Sequence, residues 1–136
     1  MVRIAVVDDD RGFLALMKDA LAERGWEVLT CSDTLSALTF LRDERPDVVI
    51  LDVRMATAES GWEMCDFLQL HPATAHVQLI VCSAATDALR DRAQWLRERN
   101  IAVLEKPFDI DQMYAVVQVA AARAESLERS NRASSA

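Results

Sequence analysis

A chain of 136 residues with 51% apolar and 27% charged side chains is long enough for one packed core, and its mixture excludes a fibrous or disordered polymer. Its net charge of -7 and pI near 4.8 exclude a general affinity for nucleic acid or anionic membrane, because phosphate contacts need clustered Lys and Arg. Cys31, Cys65 and Cys82 are odd in number, far apart and without CxxC spacing, which argues against a disulfide framework or zinc site and predicts reduced, buried thiols.

Met1 leads directly into a strand-like run instead of a basic leader, and no apolar stretch reaches the ~18 residues of a membrane span, so the expected compartment is the cytoplasm. The run RIAVV predicts a first strand over 3–7, closed by three acids in a row, Asp8, Asp9 and Asp10. A helix is predicted over 11–24, with Phe13, Leu14, Met17 and Leu21 on one stripe, Asp10 at the N-cap position and Gly25 at the stop. A second strand at 27–31 and a second helix at 35–45, stopped by Pro46, follow. The third strand, 48–52, is the run VVIL closed by Asp52; apolar at every position before its last, it reads as covered on both faces. A third helix over 62–70 ends before Pro72.

Beyond it the pattern predicts a fourth strand at 77–82 running into Ser83, a fourth helix at 88–99, and a fifth strand at 102–104 ahead of Lys106 and Pro107. The fifth helix, 109–128, has Asp109 as its expected cap and Ile110, Met113, Tyr114, Val117, Ala121 and Ala124 as its inward stripe. Val116 and Val119 fall off that stripe and are candidates for a homodimer or partner contact. Trp26, Trp62 and Trp95 read as packing residues, and His71 and His76 as plain surface histidines. The tail RSNRASSA is too small and polar to bury itself, so 1–125 reads as the domain and 126–136 as a polar tail or a linker.

Five strands alternating with five helices are the signature of an α/β fold around a parallel sheet, whose ligands bind at the carboxyl ends of the strands. Asp8 and Asp9 stand there after the first strand, Asp52 after the third, Ser83 after the fourth and Lys106 after the fifth. Each has a bland reading alone: Asp8, Asp9 and Ser83 as turn residues, Lys106 as a snorkelling surface lysine. Asp52 is harder to dismiss, because an acid closing an apolar run is costly unless it is paired or metal-bound. Gathered carboxylates repel by ~4 kcal/mol for two charges 4 Å apart at an effective dielectric of 20, and a hard divalent cation such as Mg²⁺ offsets that repulsion. A hydroxyl and an ammonium beside the cation suit the oxygens of a phosphoryl group, which leaves one carboxylate free as nucleophile. Only two lysines occur, Lys18 and Lys106, among 15 Lys and Arg residues, so lysine at 106 is not composition noise.

This constellation resembles the receiver domain of two-component response regulators over almost the whole chain. The resemblance implies a flavodoxin-like, doubly wound sheet of order 2-1-3-4-5, with Asp52 as phosphoacceptor and Ser83 and Lys106 completing the site. It implies Mg²⁺ held by Asp8, Asp9, Asp52 and the backbone carbonyl of Arg54, and a Lys106-Pro107 bond that is often cis. The phosphoryl donor would be a sensor histidine kinase or phosphotransfer protein, and the output a changed surface for a downstream protein or appended effector. Such a domain is a signalling module and catalyses only its own phosphorylation and dephosphorylation.

Three positions depart from the family pattern. Ala56 replaces its proline after Met55, which predicts a more mobile loop. Val103 replaces its aromatic switch residue, so any signal must travel through Ser83, the backbone or other side chains. Ala85, two past Ser83, offers no hydrogen bond to an attacking water and predicts slow self-dephosphorylation. Ala56 and Val103 motivate one rival, a receiver-like interaction module that does not use phosphate. A second rival, a haloacid-dehalogenase-type phosphatase, would read Asp8 and Asp10 as its DxD pair with Asp8 as nucleophile, but needs an acidic cluster beyond its lysine that this chain lacks.

Overall fold

In the structure, a computed structural model that describes residues 1–33, 35–54 and 58–135, the five apolar runs form strands β1 (Arg3–Val7), β2 (Glu27–Cys31), β3 (Val48–Leu51), β4 (Gln78–Ser83) and β5 (Ala102–Glu105). They make one all-parallel sheet in the order β2-β1-β3-β4-β5. The helices are α1 (Arg11–Glu23), α2 (Ala37–Glu44), α3 (Ala58–Leu70), α4 (Thr86–Asp91), α5 (Ala93–Glu98) and α6 (Ile110–Ser135). Ala56 lies outside the described residues.

Side chains alternate between the two faces of a strand, and each face has its own core. Ile4, Val6, Val48, Ile50, Ile80 and Leu104 pack with Leu14, Met17 and Leu21 of α1 and Met113, Val117 and Ala121 of α6. Ala5, Val7, Val49, Leu51 and Val81 pack with Leu41 of α2, Cys65 and Leu68 of α3, Leu89 of α4 and Leu96 of α5. All four residues of β3 are buried, which is why that strand reads as a continuous apolar run.

Local signals set the helix ends. The Phe13 N–H donates to Asp10 Oδ1 at 3.1 Å, which caps α1, and Gly25 takes the positive φ of 86° that lets the chain leave it. At α6 the Gln112 N–H donates to Asp109 Oδ1 (2.8 Å) and the Asp109 N–H donates to Gln112 Oε1 (3.0 Å), a reciprocal capping box. All three cysteines are free and buried.

The structure corrects the sequence reading in five places. The fourth helix is two short ones, because Arg92 leaves helical geometry (φ -105°, ψ 13°). Its guanidinium stacks 4.6 Å from the Trp62 ring and 5.2 Å from the Trp95 ring, and those rings meet edge to face at 5.6 Å. The last helix runs on to Ser135 through part of the expected tail, since no Gly or Pro interrupts it and Arg132 pairs with Glu128 at 2.7 Å. Ile110 is 49% exposed, standing at the first position of α6 just outside the core stripe. The second helix begins at Ala37, two residues late, and the third at Ala58, four residues early. Of the off-stripe valines, Val116 is partly buried against the core and Val119 is exposed.

Candidate functional site

The register brings the polar strand ends together. Val7 lies opposite Leu51, Leu51 opposite Val81, and Ser83 opposite Glu105, so the residues that follow share one edge. The ladder continues into them: the Asp8 N–H donates to Cys31 O (3.1 Å), the Asp52 N–H to Val7 O (3.1 Å) and the Lys106 N–H to Ser83 O (2.9 Å). Their backbones are therefore fixed by the sheet instead of by free loops.

Asp8 is 1% exposed and both its oxygens are engaged. Oδ1 accepts from the Asp10 N–H at 2.9 Å, and Oδ2 accepts from Lys106 Nζ at 2.7 Å. Asp52 Oδ1 accepts from the Arg54 N–H at 2.9 Å, while its Oδ2 lies 3.4 Å from Lys106 Nζ. Ser83 is fully buried and its Oγ accepts from the Ala85 N–H at 3.0 Å, which leaves the hydroxyl proton free to donate. Asp9 is exposed at the rim. Lys106 Nζ also sits 4.1 Å from the centroid of the Phe13 ring, and Phe13 meets Phe108 edge to face at 6.1 Å. The Lys106-Pro107 bond is cis.

Burial holds the Asp52 carboxyl above its ordinary value, with the Asp8 charge adding to the effect and the Arg54 N–H and Lys106 opposing it. Burial alone would lower Lys106, but the hydrogen bond and charge of Asp8, with Asp52 behind it, outweigh burial and raise it, so the ammonium persists. Cys82 lies close enough to feel all three charges, yet burial pushes its thiol up to about 12 and keeps it inert.

Asp8, Asp9 and Asp52 each offer an oxygen within 4.8 Å of the others. Three carboxylates against one ammonium leave an excess of negative charge, and hard oxygen donors at this spacing fit Mg²⁺. Gly61 of α3 lies directly on the chain after Asp52: a Cβ there would come within 2.3 Å of Val53 Cα, so only glycine allows this approach.

Asp8, Asp9, Asp52 and Lys106 are thus brought together as the sequence predicts, with Ser83 at the neighbouring strand end and the Arg54 backbone two residues past Asp52. Asp10 stays out, its carboxylate spent on capping α1. Val103 is half-buried on the α2 to α5 side. Phe13 and Phe108 stand beside the site without any polar motif in the sequence to mark them. The usable signal was an aromatic in the first turn after the acidic run, matched by one directly after Lys-Pro. A groove of about 500 Å³, lined in part by Gln69, Arg99, Asn100 and Arg123, lies at the opposite end of the sheet and contains none of these acids.

Comparison with known proteins gives one answer. The sequence model of the response regulator receiver domain matches residues 4–118. Response regulator MprA of Mycobacterium sp. (strain KMS) is 33% identical over 114 residues, which cover 84% of this chain and 48% of MprA. The chain therefore spans about half the length of the curated relatives it matches. Among solved structures, chemotaxis protein CheY4 of Vibrio cholerae superposes with a TM-score of 0.76 at 23% identity, covering 88% of this chain and 98% of that one. A response regulator receiver domain protein of Clostridium thermocellum gives 0.75 at 23% identity, covering 93% and 99%. These two likenesses establish the fold.

Proposed function

The chain belongs to the response regulator receiver domain family, and from that membership we propose that Asp52 is its phosphoacceptor, charged by a phosphohistidine on a sensor histidine kinase or phosphotransfer protein. The observation that carries this reading is the convergence of three carboxylates and one ammonium at the strand ends. Asp8, Asp9, Asp52 and the Arg54 carbonyl would hold Mg²⁺, which when bound supplies neutralisation of charge on the phosphoryl oxygens. An Asp52 oxygen attacks phosphorus in line; the new P–O bond forms as the donor P–N bond breaks, and the imidazole nitrogen keeps the electron pair. Lys106 donates to one phosphoryl oxygen, and the free Ser83 proton to another. Drawing Ser83 toward the new group pulls on Ala85, the N-cap residue just ahead of α4, and so alters the surface offered to a downstream protein or appended effector. No helix of the described residues is long and apolar enough to cross a membrane, and the compartment we assign is the cytoplasm, where the donor would be met.

Incubation with labelled acetyl phosphate and Mg²⁺, or with the phosphorylated kinase, tests the assignment. The wild-type chain takes up label and Asp52→Asn takes up none; label retained by Asp52→Asn would overturn it. In the same experiment the label decays slowly, because Ala85 cannot orient a water, and Ala85→Glu shortens its life; equal lifetimes would remove that role from position 85. Val103 favours one second reading, an interaction module indifferent to phosphate. Titration with beryllofluoride and Mg²⁺, followed by tryptophan fluorescence, separates the two, since silence from a folded protein favours the module. The phosphatase reading loses its second acid to the cap of α1.

A further inference from the structure

Among the described residues, the Lys106 ammonium meets two carboxylates and one aromatic ring. The ammonium lies 2.7 Å from Asp8, 3.4 Å from Asp52 and 4.1 Å from the centre of the Phe13 ring. Phe13 is in turn met edge to face by Phe108, two residues beyond the lysine, with an interplanar angle of 78°. A closed triangle results, in which the ring facing the ammonium is braced by the lysine's own strand end. An aromatic face attracts a cation without using any of its N–H donors, so this contact does not compete with the oxygens that Lys106 serves.

The phosphoacceptor reading, on which this inference rests, asks two things of the site that conflict in the observed geometry. Asp8 is needed by a cation, and Lys106 is needed by a phosphoryl oxygen on Asp52, yet the lysine sits closer to Asp8 than to Asp52. A contact indifferent to which oxygen the ammonium serves resolves the conflict. We infer that Phe13 is a positioning residue: its ring face, braced by Phe108, retains the Lys106 ammonium at the pocket while the lysine exchanges Asp8 for a phosphoryl oxygen on Asp52.

Proton NMR of the metal-free wild-type chain supplies a readout that packing alone would not move. The Lys106 methylene protons beside the ammonium are expected upfield, shielded by the Phe13 ring, with cross-peaks to it that persist after Mg²⁺ and beryllofluoride are added. Phe13→Leu keeps an apolar side chain but has no ring face, so it loses the shielding and binds beryllofluoride about tenfold more weakly. Phe13→Tyr keeps the face and stays within about twofold of wild type. Equal affinity of wild type and Phe13→Leu, equal loss in both variants, or unshielded wild-type protons would overturn the inference while Asp52 remained the acceptor. A wild-type chain that binds no beryllofluoride would instead overturn both.

Discussion

The Asp52 carboxylate is held at a cost in the metal-free protein, half-withdrawn from water and facing the buried Asp8. Because its folded pKa is raised, the associated stability is present when the carboxyl is protonated and is lost as pH rises through the folded value. At neutral pH the ionised group therefore works against the fold. Lys106 keeps Asp8 as a partner when Asp52 is changed, so Asp52→Asn removes a charge without orphaning one. In chelator at pH 7 it is expected to melt a few degrees above wild type, and the gap closes toward about pH 4. Thermal melts at both values check this, and a lower melting point for Asp52→Asn at pH 7 would mean that Lys106 already repays the burial. The acids of the site were legible in the sequence because the sheet rule places strand ends together and few acids close apolar runs. Phe13 was not legible as part of it, because its spacing also fits the core stripe of α1, and only the tertiary fold brings it over Lys106.

Gly61 shows how one element constrains another. Alanine inside a helix ordinarily gains about 1 kcal/mol over glycine. Here the added methyl would meet Val53 backbone at 2.3 Å, and overpacking of that kind costs about 1–3 kcal/mol or more, so the clash wins. Gly61→Ala is expected to lower the urea midpoint and weaken beryllofluoride binding together, since α3 can relieve the contact only by displacing the segment that follows Asp52; a stabilised variant would sink this account. The strands were readable because burial on both faces forces unbroken apolar runs, as in β3 and β4. The division into α4 and α5 was not, because it falls at Arg92, whose guanidinium lies over the Trp62 ring of α3, a contact that only the tertiary fold brings about. The length of α6 is hidden for the opposite reason: polar composition suggests an end, while local helix chemistry continues to Ser135.

Across the whole molecule the two cores meet at the pocket. Asp8, Asp52 and Lys106 continue the alternation of Ile4 and Val6, Val48 and Ile50, and Leu104, which belong to the layer of α1 and α6. Ser83 continues that of Val81, which belongs to the layer of α2 to α5. A group attached to Asp52 would touch both layers, which suits a surface change that does not need an aromatic at position 103. The pocket also joins the two ends of the chain's fold: Lys106 and Asp8 are 98 residues apart, and Lys106 and Asp52 are 54. During synthesis at roughly 5–20 residues per second, Asp52 leaves the ribosome about 3–10 s before its lysine does. Nascent chains arrested before β5 are expected to take no label from acetyl phosphate, and emergence of β5 with Lys106 is the event that makes the pocket competent.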